Sequence, residues 1–299
     1  MTTKKHIEAW RRAFETEENA VVPTLSAFAW NYAAFTTVVR VVDHAPVDAE
    51  GEKQLNGMVL ELLRSTFWGS AVLAIRRMVD RGPLIGPKGV NSLAAIVNDA
   101  RARRGKITRR VFIEEIAGLE YDFEAIDQRH WEHVSSEPPD KALWVPADLN
   151  PEPSRNRHRE FDFLSGVAAD SRSPADLIQL WVFDRLDARL ARLESVADHA
   201  TIHFAHPATA ESQTGRGLET WGLNDANDAM KLLAETAELV GRWFLYSGIG
   251  DVLPHPQYDQ FAHLDKPLVA PAVIPQLHAE WEKFSQEAAQ WPFIRNECL

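Results

Sequence analysis

The chain has almost no cysteine: one in 299 residues, Cys298, beside the C-terminus. A single thiol cannot close an intramolecular disulfide or build a cysteine-based zinc cluster, so a reducing compartment is the expected setting. Long apolar runs are lacking as well. The best, "WGSAVLAI" at 68–75, meets Arg76 and Arg77 at once and stops well short of the roughly 20 residues of a membrane helix. The opening "MTTKKHIEAWRRAFETEEN" is charged throughout and lacks an apolar leader. These absences point to a cytoplasmic chain with no membrane partner. Positive charge is also in deficit, with 43 acidic residues against 32 basic ones and a net charge of −11. A field of that sign excludes a protein that coats nucleic acid through its overall charge, leaving local basic islands to hold phosphate.

Strand-like alternation is scarce, and the spacing that is present is helical. Val59, Leu62, Leu63, Phe67, Ala71, Ala74, Ile75 and Met78 recur at three- and four-residue steps and predict one buried helical face over about five turns. "RGPLIGPKG" at 81–89 ends it, because its prolines and glycines cannot continue a helix. Asn91 and Thr108 stand where caps of the next two helices belong. Upstream, 4–42 reads as two helical segments parted or kinked at Pro23. Residues 135–160 hold five prolines and no period, predicting a surface excursion pinned by Trp144 and Val145. Ser173, Pro174, Ala175 and Asp176 have the form of a helix start, so a long helix is expected from about 174 to 206, stopped by Pro207. Asn224 opens another, closed at Gly248, and a Pro-rich wrap precedes a last amphipathic helix, "QLHAEWEKFSQEAAQW". The expected fold is all-α: one helical domain over 1–299, a bundle of long antiparallel helices with the excursion at 135–160 and a C-terminal extension at 247–299.

On the helix expected near 181–206, Phe183, Leu186, Leu190, Leu193, Ala197, Ala200 and Phe204 form the core stripe. Arg185, Arg192, His199 and His206 are seven apart, which on a continuous helix returns within about 20° of the same direction, with Arg189 and His203 on the same flank. His199 and His203 have the i, i+4 spacing of a shared metal ion. A second ligand pair is not evident: "HWEH" (His130, His133) is remote in sequence, and Ala200 stands where the zincin pattern needs glutamate. No metal and no cofactor are therefore expected, with a His-ligated metal protein as the lesser alternative. RNA scission by the ribose 2′-hydroxyl suits the flank better. It needs a base, an acid and positive charge on the developing phosphorane, which histidine and arginine supply without a metal. Two basic islands add candidate phosphate contacts: "RARRGKITRR" at 101–110, with Arg101, Arg103 and Arg104, and "RNRHR" at 155–159. A solvated helix end and loop is the first reading of each.

"FWGSAVLAIRRMVDR", then "SLAAIVNDAR", then a helix ending "HATIHFAHPAT" resembles the abortive-infection branch of the HEPN superfamily, over roughly residues 55–246. The resemblance implies a helical bundle of prokaryotic defence or toxin systems. It also implies an Arg-x(4–6)-His motif that two copies face across a homodimer to form a metal-independent ribonuclease. Arg192 to His199 gives that motif literally, but Leu193 follows the arginine where the family has a polar residue. His199 to His206 fits the "FAH" context, with histidine in the arginine's place. On this resemblance His206 and His199 would move protons and Arg192 would hold phosphate, with Arg185, Arg189, His203, Arg101, Arg103 and Arg104 contacting RNA. The expected partners are RNA, a second copy of the chain, and an antitoxin or regulatory protein. The alternative is a noncatalytic HEPN-like bundle that binds a protein or RNA with the same flank.

Arg185, Arg189 and Arg192 have no acid three or four residues away, so a structural role takes carboxylates from neighbouring helices or simply solvent. Arg76, Arg77 and Asp80 read as helix-end residues. Most of the ten tryptophans, Trp30, Trp68, Trp181, Trp221 and Trp243 among them, lie in helical patterns and read as core anchors. Trp131 and Trp144, in the irregular middle, are candidate base-stacking platforms.

Overall fold

A computed structural model describes residues 2–136, 144–200 and 221–291. The chain is all-α. Among the described residues no strand forms, only the isolated bridges Val47–Lys53 and Thr108–Leu177. The helices are α1 (Thr3–Arg11), α2 (Val21–His44), α3 (Gly57–Val79), α4 (Leu93–Ala102), α5 (Arg109–Val111, running on as a π turn to Ile116) and α6 (Phe123–Ser136). They continue as α7 (Glu152–Ser165), α8 (Leu180–Ala191), α9 (Glu194–Ala200), α10 (Leu223–Phe244) and α11 (Ile274–Gln290). The chain divides into two compact units, 1–254 and 255–299.

In the first unit α10 packs against α2, α3, α4 and α8, and α3 packs against α2 and α9. The core between them holds Trp10, Phe14, Phe28, Phe67, Ile75, Phe112, Phe161, Phe183, Leu233 and Phe244, all buried. Gly241 permits the closest approach: a Cβ there would meet the Ser247 carbonyl and the Phe14 ring. The second unit holds α11 after a run of turns, and none of the described residues of α11 is buried.

Several expected elements move, each for a local reason. The break in the first segment falls at 17–20, and Pro23 lies in the first turn of α2, where a missing N–H costs nothing. Ser92, not Asn91, caps α4, its hydroxyl accepting from the Ala95 N–H at 2.8 Å, while Asn91 donates to Glu17. Thr108 does cap α5. The face expected from Val59 onward is buried only from Phe67; Leu62 and Leu63 are exposed. α3 is nevertheless long and apolar enough, by length and composition, to cross a membrane.

The largest departures surround α7 and α8. Half of the excursion's end is helix: Asn150 accepts from the Glu152 N–H, Pro153 occupies the first turn, and α7 then carries Ser154, Arg157 and His158 into the interior. Trp144 does not pin the excursion, since its indole is exposed; His133 on α6 contacts the Trp144 carbonyl instead. Ser173–Asp176 is a turn and no helix begins there. The Asp176 carboxylate is taken by buried Arg109 and its carbonyl by the Arg109 N–H, so the backbone runs extended to Leu180. The long helix expected from 174 to 206 is α8 and α9, separated by a turn at 192–193. Residues 201–206 lie outside the described residues.

Candidate functional site

Beside the buried stripe of Val182, Phe183, Leu186 and Leu190, α8 carries Trp181, Arg185 and Arg189 at four-residue steps. Arg159 and Phe163, four apart on α7, and Leu239, Arg242 and Trp243 on α10 complete a groove of about 780 Å³. Its floor is aromatic. Phe163 meets Trp181 edge-on at 5.4 Å between centroids and leans on Trp243 at 6.5 Å. The Arg185 guanidinium lies over the Trp181 ring, 4.6 Å from its centroid, a cation–π contact that keeps the charge at the groove mouth.

The four arginines of the rim are held differently. Arg189 donates to the Thr236 hydroxyl and pairs with Glu235 of the neighbouring helix. Arg242 pairs with Glu160 at 2.9 Å, and Glu160 is shared with buried Arg157. Arg159 donates to Asn156. Neither Arg159 nor Arg185 has a carboxylate partner among the described residues; both line the groove with exposed Phe163 and with the Glu160 carboxylate that Arg157 and Arg242 share. The pairing of a planar cation and a ring accepts a stacked base and its phosphate.

No family model, curated protein or solved structure matches the chain. The chemistry of the groove rests on its own residues.

Of the residues expected in a site, Arg185 and Arg189 line this groove. Arg192 is exposed in the turn that ends α8, and half-buried His199 lies on α9, so the heptad register that joined them on one helix is broken. His203 and His206 lie outside the described residues. No group of three His, Cys, Asp or Glu side chains that could hold a metal occurs among the described residues. Arg101, Arg103 and Arg104 face protein: Arg101 pairs with Asp184 and Asp187, Arg103 with Asp99, and Arg104 donates to the Ile178 carbonyl. Arg101 and Arg104 fasten the end of α4 to α8 and to the strap before it, while Arg103 pairs back onto α4. Trp131 and Trp144 are exposed.

Two functional-looking arginines from the basic islands are buried outright. Arg109 is 0% exposed, donating to Asp162 at 2.7 Å, Asp176 at 2.9 Å and the His158 carbonyl at 3.2 Å. Burial alone would raise the Asp162 carboxyl, but hydrogen bonds from Arg172 and Arg109 outweigh it and hold that carboxyl below its usual range. Arg157 is 1% exposed, its guanidinium 3.4 Å from the Phe112 ring centroid. It caps the end of α10 by donating to the Arg242 and Trp243 carbonyls, and burial lowers it to about 10. No signal in the local sequence distinguishes these two from Arg159, since the partners of Arg109 are 53 and 67 residues away.

Proposed function

We propose that the chain is a HEPN-like helical bundle that binds single-stranded RNA in the groove between α7, α8 and α10. The observation that carries this reading is Arg185 stacked on Trp181, without a carboxylate partner among the described residues, beside exposed Phe163. Bases stack on Phe163 and Trp181, while Arg185 and Arg159 take the phosphates. An acidic chain then binds RNA at one place and does not coat it.

Cleavage by a homodimer, with His206 and His199 in proton transfer and Arg192 on phosphate, is the second reading. It is favoured by the course of α8, whose groove-lining residues lead through Arg189 toward Arg192 and α9. Both readings are tested on one labelled oligoribonucleotide pool in chelator at low salt. Fluorescence anisotropy should show binding by the wild type, weakened about 5- to 150-fold by Trp181→Ala, the range of one lost stacking contact. Arg185→Glu should weaken it further, with the circular dichroism unchanged. Equal affinity in all three proteins would place RNA elsewhere. Cyclic phosphate ends produced by the wild type and lost in His206→Ala would add catalysis to binding.

A further inference from the structure

Just past the end of α10, Tyr246 has a φ of 56°, and among the described residues of the first unit no other non-glycine residue has a positive φ. That conformation is ordinary for glycine after a helix and an outlier for a bulky side chain. Glycine would close α10 without strain, so the ring itself needs a reason, and strain of this kind gathers at binding sites. The ring covers the buried Arg157 guanidinium, 5.0 Å from its centroid. The residue is still 44% exposed, and it lines a cavity of about 360 Å³ at the start of α7.

The polar groups of this cavity define what fits. Asn150 and Asn156 use their carbonyl oxygens internally, accepting from the Glu152 N–H and from Arg159. Both carboxamide NH₂ groups are left without an acceptor among the described residues. Arg242 meets Glu160 through one nitrogen, Nη2, at 2.9 Å. Its charge is matched while its other N–H groups stay open, which suits a neutral acceptor better than a phosphate. Glu152 supplies the acceptor: Arg155 occupies Oε1, and Oε2 has no partner among the described residues. Each carboxylate oxygen has two lone pairs, so both oxygens can serve a ligand. Several donors and one carboxylate beside a ring select among the nucleobases. Guanine has two acceptors side by side, N7 and O6, followed by two donors side by side, N1–H and the N2 amino group. Adenine, cytosine and uracil each offer a single donor group on that edge.

We propose that the cavity is a guanine site: the base stacks on Tyr246, Arg242 and Asn156 donate to N7 and O6, and Glu152 accepts from N1–H and the N2 amino group. Glu160 and Arg242 line both this cavity and the groove between α7, α8 and α10. The guanine therefore comes from a strand lying in that groove or from a free guanine nucleotide. The strand source rests on the RNA reading above, and the site itself does not.

Two titrations of the full chain test it. In calorimetry with the four nucleoside monophosphates, GMP should bind at least about tenfold more tightly than the others. Glu152→Gln should remove that preference, and Tyr246→Gly should weaken GMP about 5- to 150-fold, both with the circular dichroism of the wild type. In anisotropy, an oligouridylate carrying one guanine should bind more tightly than one carrying an adenine there, and Glu152→Gln should equalise them. A guanine preference in the first titration alone assigns the site to a free nucleotide, and in the second alone to a strand. GMP binding without any oligonucleotide binding ends the RNA reading and leaves the guanine site standing. No guanine preference in either titration, or one that survives both Glu152→Gln and Tyr246→Gly, overturns the proposal.

Discussion

Arg109 and Arg157 are the side chains on which the interior around α7 is built, and each is a charge that burial would exclude if it were alone. Arg109 is matched by Asp162 and Asp176, and Asp162 is shared with Arg172, so two carboxylates lose a partner when Arg109 goes and only Asp162 keeps another arginine. Arg109→Met should therefore cost about 3 kcal/mol in urea unfolding, the lower end for breaking a buried pair because both carboxylates keep some solvent. A cost below about 1 kcal/mol would mean that the aspartates reach water at no penalty. The same region sets an acid sensitivity. Burial holds His158 below the usual imidazole value of 6.5, so its contribution is full above that pH and is lost as the unfolded chain takes up the proton below it. Asp162, held below 3.8, contributes above that value and loses its share as pH falls through the folded carboxyl. Urea midpoints should thus fall in two steps toward acid, and His158→Gln should flatten the upper one. What could be read locally at this scale was that Arg189 finds no acid on its own helix and is left to solvent or a neighbouring helix; Glu235 of the neighbour supplies the carboxylate. The carboxylates that hold Arg109 and the α10 carbonyls that hold Arg157 come from distant segments, and the side chains themselves look like any surface arginine.

Helices were legible where apolar spacing and a cap agreed, as at Thr108 for α5, and misplaced where a cap-like residue served a tertiary contact. Asp176 has the position of a first-turn acid after Ser173 and Pro174, but its carboxylate is spent on Arg109 and the chain stays extended. The turn at 192–193 is hidden for another reason. The buried face continues through Leu190, Leu193, Val196 and Ala200, so the apolar period survives while the axis breaks. Arg81 spans the break, donating to Asp187 before it and Glu194 after it. Proline distinguishes the two geometries. Glu194 opens α9, where proline is tolerated, and Ala188 sits inside α8, where proline costs about 3 kcal/mol or more. Ala188→Pro should lower stability by that amount, and Glu194→Pro by no more than about 1 kcal/mol, chiefly the exposed pair with Arg81. Equal losses in urea unfolding would show one continuous helix and restore the register of Arg192 with His199.

For the whole molecule, the net charge of −11 and an arginine-rimmed groove make opposite demands on an RNA ligand. The overall field repels a polyanion at long range, and screening by salt relieves that repulsion. On the proposed reading the groove attracts through direct contacts that displace counterions, and salt weakens these. Of its four rim arginines, Arg189 and Arg242 are already paired with Glu235 and Glu160, which leaves Arg159 and Arg185 for phosphate. Two contacts on a single strand give a slope of about −1.4 in log affinity against log salt, far below that of a protein with a basic surface. Relief of long-range repulsion makes the observed slope shallower still. Arg185→Ala should remove about 0.7 from the slope along with its share of the affinity, whereas Arg101→Ala, whose guanidinium holds Asp184 and Asp187, should leave the slope unchanged. Anisotropy titrations of the same oligoribonucleotide between about 50 and 200 mM salt resolve that difference. A slope near −5 in the wild type would mean that many more cations engage the strand than this groove supplies, and the RNA would then have to lie across a wider surface that includes residues beyond it.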